Sequence, residues 1–256
     1  MDKKILPVSI IIPTYMEEKR LPNLLKSINM QEFKPAEVIV ADNFSTDKTR
    51  ELAKKLGAKV VDGGNIAVGR NNGAKVAKTD IFIFMDADVI LPDPYTLVNM
   101  YIEFKRSGAD VASTLLKLDE NDRKKPMPTL AFSVYGLLKR FVKVTNKLIV
   151  ESGCTMLSTR EAFEKLNGFD ENLDRAAEDL DYSRRAIKAG FKYKVLGVKI
   201  YASGRRYETV SKTVKSLIGA LGAGIILTIG YKNKGKILDL IKRMYGELGG
   251  RNEENK

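Results

Sequence analysis

Histidine and tryptophan are absent from this 256-residue sequence, and cysteine occurs once, as Cys154. Without histidine there is no Ser-His-Asp triad, no His-ligated zinc and no imidazole general base. One cysteine can neither close an internal disulfide nor build a thiolate metal site, which points to a reducing, cytoplasmic setting. Acid–base or metal chemistry must therefore rest on carboxylates, with hard cations such as Mg²⁺ or Mn²⁺ as their partners. Long apolar runs are also missing. Val8–Ile12 is short and stops at Pro13, so the N-terminus does not read as a signal peptide. Ser216–Tyr231 carries no charge, but a helix of that length reaches about 24 Å, short of a hydrocarbon core of about 30 Å. It reads as buried or interfacial.

What is abundant is positive charge, and it is unevenly placed. The chain has 44 Lys and Arg against 32 Asp and Glu, a formal charge of +12. Residues 1–110 are nearly neutral at +1, and residues 111–256 hold the remaining +11. Such asymmetry suggests an anionic partner for the C-terminal half: lipid head groups, an acidic glycan or nucleic acid. Lysines solvated on helix faces are the plainer explanation for any single one of them.

The first hundred residues alternate in character. Val8–Ile12 reads as a buried parallel strand. Leu21–Asn29 reads as a helix with Leu21, Leu24, Leu25 and Ile28 on one face. Glu37–Ala41 is the next strand, Ser45 or Thr46 is expected to cap a helix through Leu56, and Gly57 to end it. Lys59–Val61, Ile66–Ala77 and Ile81–Met85 read as strand, helix and strand. This order predicts an α/β fold with a mostly parallel, doubly wound sheet, whose ligands sit beyond the carboxyl ends of the strands. Further on, Leu130–Val150 reads as a helix, Thr155–Ser158 as a strand and Glu178–Ala189 as a helix. Two strands are expected near Lys192–Leu196 and Lys199–Ala202, then an amphipathic helix over Lys236–Leu248.

Three acidic clusters carry the chemistry. Asp86-Ala87-Asp88 follows the apolar strand Ile81–Met85, where an extended backbone would put both carboxylates on one side. Paired like charges are costly unless a cation neutralises them, and a divalent ion bridging to phosphates does so. The segments Pro13-Thr14-Tyr15-Met16-Glu17 and Asp42-Asn43-Phe44-Ser45-Thr46-Asp47 follow the first two strands. Both mix acceptors with a stacking surface, which suits a base and a ribose, and neither has the Gly-rich form of a phosphate cradle. Arg70, on the first turns of the helix after Gly63-Gly64, is expected to reach the same edge and hold a diphosphate. Glu178-Asp179-Leu180-Asp181 opens a helix, where the dipole favours ionised carboxylates. An ionised carboxylate is what a general base requires in a chain without histidine.

In order and spacing these motifs resemble the inverting glycosyltransferases of family 2, which have the GT-A fold, a Rossmann-like sheet with a C-terminal acceptor region. The likeness runs from Val8–Tyr15 through Glu37–Asp47, Gly69–Gly73, Phe84–Asp88 and Gly168–Glu171 to Glu178–Asp181. It implies that Pro13, Thr14, Tyr15, Glu17, Asp42, Asn43 and Ser45 hold the base and ribose of a nucleotide-sugar donor. It further implies that Asp86 contacts ribose or metal, that Asp88 holds a divalent Mn or Mg ion on the diphosphate, and that Asp179, beside Glu178, deprotonates the acceptor. Met16 departs from the family, which commonly has Asn there, and no histidine is present as a further metal ligand.

The resulting expectation is an inverting transfer of a sugar from a nucleotide-diphosphate sugar, a UDP-sugar being the commonest choice, to a hydroxyl of a glycan or lipid-linked glycan. A polyprenyl-phosphate acceptor is the first alternative, although its anionic oxygen needs no base and the Glu178-Asp179 pair favours a hydroxyl. A nucleic-acid-binding protein and a sugar-phosphate nucleotidyltransferase are alternatives from other classes. The first lacks a recognisable base-reading motif, so no nucleic acid is expected as a partner. The second would have a Gly-rich loop where Pro13-Thr14-Tyr15 stands. The expected organisation is a donor half at 1–110, an acceptor half at 111–205, a helical extension at 206–250 and a tail at 251–256. The basic C-terminal half fits peripheral contact with an anionic membrane, a dimer contact or a self-packed hairpin.

Overall fold

In a computed structural model of the chain, the structure describes residues 4–119, 154–173 and 178–204, together with positions 122, 124, 125, 128–130, 133, 209 and 213. The helix expected over Lys236–Leu248 falls outside the described residues, as do all but positions 130 and 133 of Leu130–Val150 and all but 209 and 213 of the extension at 206–250. The chain divides into two compact units, Met1–Lys117 with Val150–Ala202, and Leu118–Ile149 with Ser203–Lys256. In the second unit, Asp122 accepts a hydrogen bond from the Gly204 amide (2.6 Å) and pairs with Lys125 (2.8 Å).

The first unit carries the sheet. Its strands are β1 (Ile5–Thr14), β2 (Lys34–Asp42), β3 (Lys59–Asp62), β4 (Ile81–Met85), β5 (Val89–Ile90), β6 (Val111–Leu118), β7 (Thr155–Thr159) and β8 (Tyr193–Ala202). The helices are α1 (Leu21–Asn29), α2 (Thr49–Lys55), α3 (Ile66–Val76), α4 (Thr96–Ser107), α5 (Arg160–Lys165) and α6 (Glu178–Lys188). The eight strands are ordered β3-β2-β1-β4-β7-β6-β8-β5. β3, β2, β1 and β4 are mutually parallel. β7 runs antiparallel to both β4 and β6, and β5 antiparallel to β8. The fold is the expected α/β sheet, with its parallel half formed by the N-terminal strands.

The sheet is wound on both faces, as the continuous apolar strands require. Val8, Ile10 and Ile12 of β1 face a core shared with Leu21, Leu24, Leu25 and Ile28 of α1, and with Leu97, Met100 and Phe104 of α4. Ile11 faces the opposite core, built with Ala67 and Ala74 of α3, Phe163 of α5 and Tyr182 and Ala186 of α6. Phe84, Phe163, Phe169 and Tyr182 form a connected aromatic cluster there, with the Phe169 and Tyr182 rings stacked at 4.5 Å between centroids.

Several local expectations are corrected. Ser45 and Thr46 do not cap α2. Ser45 is drawn back onto Asp42, and it is Asp47 that accepts the Thr49 amide (3.0 Å) as the helix begins. The two strands expected around Lys192–Ala202 are one, β8, which runs straight through Gly197 because that amide is satisfied by Glu103 of α4 (2.6 Å). Asp86-Ala87-Asp88 is not extended: β4 stops at Met85, and the Val89 amide bonds back to the Asp86 carbonyl (3.2 Å), closing a turn.

Candidate active site

Because β1, β2 and β4 run in parallel, their carboxyl ends open on one edge of the sheet, and that edge gathers most of the polar residues singled out above. Thr14 stands opposite Asp42 in register, and Asp42 opposite Asp62. The Asp42 side chain is fully buried and heavily bonded. Its Oδ1 accepts from Thr14 Oγ1 (3.0 Å) and Ser45 Oγ (2.6 Å), and its Oδ2 from the Ser45 amide (2.9 Å). Arg50 of α2 reaches Asp42 Oδ2 at 3.4 Å and Asp62 Oδ1 at 2.9 Å. Neither Arg50 nor Asp62 was singled out from the sequence. The acidic residue at the end of each neighbouring strand was the available signal.

The two loops that follow β1 and β2 are stitched together. The Asn43 amide donates to the Thr14 carbonyl (2.8 Å), the Met16 amide to Ser45 Oγ (2.8 Å) and the buried Glu17 amide to Thr49 Oγ1 (2.9 Å). Two non-glycine residues here have left-handed backbone, Met16 (φ 54°) and Phe44 (φ 50°). Pro13, Thr14, Tyr15, Glu17, Asp42, Asn43 and Ser45 therefore occupy one rim, with Tyr15 exposed and Glu17 buried.

Arg70 links this edge to α6. It is 1% exposed, on α3 among small and apolar neighbours. Its Nη2 donates to Asp86 Oδ1 (3.1 Å), at the end of β4, and its Nη1 to Glu178 Oε1 (3.0 Å), at the start of α6. The guanidinium lies over the Phe169 ring, 5.1 Å from its centroid. Burial opposes the charge of Arg70, but Glu178, Asp86 and Asp179 outweigh it and hold its pKa above the ordinary value. Glu178 moves upward too, to about 7: burial is the main cause, Asp179 and Asp86 add to it, and Arg70 pulls the other way. Arg70 thus reaches the sheet edge expected of it, with its guanidinium on the carboxylates of Asp86 and Glu178.

α6 opens with Glu178, Asp179 and Asp181 in its first turn, as expected. Glu178 is buried against Arg70, while Asp179 is partly exposed. Asp179 Oδ1 accepts the Leu180 amide (2.7 Å), and its carbonyl accepts from Ser183. The approach to α6 is pinned by residues of the Gly69–Gly73 and Gly168–Glu171 motifs, to which the sequence reading gave no individual role, and by Arg185. Asn71 accepts the Phe169 amide (2.8 Å) and donates to the Phe169 carbonyl and to Glu171 (both 2.9 Å). Gly168 has φ +66°, and a Cβ there would lie 2.5 Å from Asn71 Oδ1, so glycine is required on both counts. Arg185 of α6 holds the Leu166 and Gly168 carbonyls (2.6 and 2.8 Å) and pairs with Asp181.

Asp86 and Asp88 offer only carboxylate oxygens, the donor type that Mg²⁺ and Mn²⁺ prefer. Asp88 is 8% exposed, and the Asp86 side chain is 19% exposed. Among the described residues no three His, Cys, Asp or Glu side chains group as a metal cluster, so two carboxylates alone would leave most of a coordination shell to other ligands.

Residues 9–166 match the sequence model of glycosyl transferase family 2. The chain belongs to this family. Among curated relatives, it is 30% identical over 196 residues to the O-antigen chain rhamnosyltransferase RfbN of Salmonella typhimurium, covering 72% of this chain and 62% of that protein. It is 44% identical over 99 residues to a 4,4'-diaponeurosporenoate glycosyltransferase of Staphylococcus haemolyticus, covering 35% of this chain and 26% of that one. The chain thus spans less than two thirds of the length of these relatives. Solved structures share the GT-A fold. Staphylococcus aureus TarS, in complex with UDP-GlcNAc, aligns with a TM-score of 0.56 at 20% identity, over 94% of this chain and 73% of that one. The mannosyltransferase PcManGT of Pyrobaculum calidifontis, in complex with GDP-Man and Mn²⁺, aligns with a TM-score of 0.64 at 18% identity, over 93% and 70%. Among the described residues no helix is long and apolar enough to cross a membrane.

Proposed function

We propose that this family 2 glycosyltransferase moves a sugar from a nucleotide-diphosphate sugar, a UDP-sugar in the first instance, to a hydroxyl acceptor, with inversion at the anomeric carbon. The observation that carries the reading is the Arg70 bridge. It ties Asp86, at the end of β4, to Glu178, and so brings the α6 carboxylates within electrostatic reach of the Asp86-Ala87-Asp88 turn.

In this reading the rim of Pro13, Thr14, Tyr15, Glu17, Asp42, Asn43 and Ser45 receives the base and ribose. Asp42 is rigidly oriented by Thr14, Ser45 and Arg50, which favours directional recognition over charge alone. Asp86 and Asp88 would hold a divalent cation, which would offset charge developing on the leaving diphosphate. The Mn²⁺ in the PcManGT structure supports this choice of metal. Asp179 is the acceptor's base: it is partly exposed, while Glu178 is buried on Arg70 and holds the first turn in place. The hydroxyl proton passes to Asp179, the acceptor oxygen forms the new bond to the anomeric carbon, and the bond to the diphosphate oxygen breaks on the opposite side.

The acceptor is a glycan or a lipid-linked glycan. A second acceptor class, a polyprenyl phosphate, is favoured by one observation: 37% identity over 115 residues to a dolichol-phosphate mannosyltransferase of Pyrococcus furiosus, covering 41% of this chain and 32% of that protein. Product analysis with Mn²⁺, a panel of nucleotide sugars and both acceptor classes tests the proposal. Release of nucleoside diphosphate with a sugar on a hydroxyl supports it. Release of pyrophosphate, or transfer to phosphate acceptors alone, overturns it.

A further inference from the structure

Phe44 stands out among the residues of the sheet edge. A bulky side chain in the left-handed region is disfavoured by contact between its Cβ and the backbone, and such outliers persist where the surroundings enforce them. At Phe44 φ is +50°, and the surroundings do enforce it. The Asn43 amide is bonded to the Thr14 carbonyl on one side, and Ser45 is bonded twice to Asp42 on the other. The ring gains nothing from this in packing. It is 64% exposed, and among the described residues it makes no ring–ring or cation contact. A glycine would relieve the backbone, and a polar residue would suit the exposure. Phenylalanine does neither.

The location gives the ring a use. Phe44 follows Asp42 by two residues and lies on the loop bonded to the one that bears Tyr15, itself 40% exposed. Two exposed aromatics thus occupy adjoining loops at the carboxyl ends of paired strands β1 and β2, where this fold class receives its ligand. Planar, partly apolar heteroaromatics stack on such rings in a way that tolerates differences between bases.

We propose that Phe44 is an affinity-determining residue of the donor site, its ring forming an apolar wall against the nucleobase, and that the strained backbone is kept because it aims the ring there. This deepens the nucleotide-sugar reading above and rests on it.

The test uses the full chain with Mn²⁺ and calorimetric titration of UDP, GDP and pyrophosphate. Phe44→Ala removes the ring and keeps a Cβ in the left-handed region, Phe44→Gly removes both ring and strain, and Phe44→Tyr restores the ring. Both ring-less variants should bind their nucleoside diphosphates about 5- to 100-fold more weakly than wild type. Pyrophosphate affinity should be unchanged, Phe44→Tyr should recover nucleotide binding, and Phe44→Gly should raise Tm above that of Phe44→Ala. Wild-type nucleotide affinity in Phe44→Ala and Phe44→Gly overturns the inference while leaving the donor reading intact. Loss of flotation on anionic vesicles with unchanged nucleotide affinity also overturns it, assigning the ring to a membrane surface. A wild-type chain that binds pyrophosphate but neither nucleotide overturns the donor reading, and this inference with it.

Discussion

Arg70 Nη1 lies 3.0 Å from Glu178 Oε1, joining residues 108 apart in sequence across the candidate site. Buried ion pairs gain little over a well-packed apolar alternative, but removing one partner strands the other in a dry environment. Arg70→Ala should therefore lower unfolding stability by about 3–5 kcal/mol in urea titration. A loss below about 1 kcal/mol would mean that water or rearranged side chains rescue Glu178 and Asp86, and that the bridge does not organise the site.

Asp179→Asn keeps the size of the side chain and removes its basicity. Nucleotide-sugar binding should stay within a few-fold of wild type, while turnover falls by about 10²–10⁴, the usual contribution of a positioned general base. Near-normal turnover would exclude Asp179 from that role.

Asp88→Ala should abolish the strengthening of nucleotide binding by Mn²⁺, measured by calorimetry with and without the ion. The apo protein should keep its fold by circular dichroism, since Asp88 lies in a turn outside the sheet ladders. Equal Mn²⁺ dependence in the variant and wild type would move the metal elsewhere.

The pH behaviour of Glu178 follows from its surroundings. Its carboxyl rises from the ordinary 4.5 to about 7, through burial first and the nearby Asp179 and Asp86 second, against the pull of Arg70. The folded protein then binds this proton more tightly than the unfolded chain. The corresponding stabilisation is complete below about pH 4.5 and disappears as the pH climbs through about 7. Glu178→Gln should flatten that part of the stability curve, read as urea midpoints from pH 4.5 to 8. An unchanged slope would assign it to other groups.

The parallel half of the fold was legible because buried parallel strands are apolar throughout: Val8–Ile12 and Ile81–Met85 admit little else. The face of α1 was legible for the same reason, with Leu21, Leu24, Leu25 and Ile28 all buried. β6 was hidden because Ser113, Thr114 and Lys117 interrupt its apolar pattern, although Ser113 is satisfied by the Tyr193 hydroxyl (2.7 Å). α4 was hidden by its start, where Tyr95 offers no side-chain cap, and only Gly108, with φ +59°, marks its end. β7 was visible as a strand, but nothing local dictates that it enter the sheet antiparallel. In the site, residue types were readable and partnerships were not. Asp42 and Arg70 could be picked out, but the Arg50 bridge to Asp42 and Asp62, and the Arg70 bridge to Glu178, join elements whose proximity is a property of the whole fold.

The grip of Asn71 on Phe169 has a kinetic consequence. The Phe169 amide proton is held by a side chain of α3, not by a neighbour in its own segment. It can therefore exchange with deuterated solvent only when that segment parts from α3, and its protection becomes a clock for the transient opening of the approach to α6. A ligand seated against Asp86 and Asp179 should slow that one clock more than it slows the amides of β1.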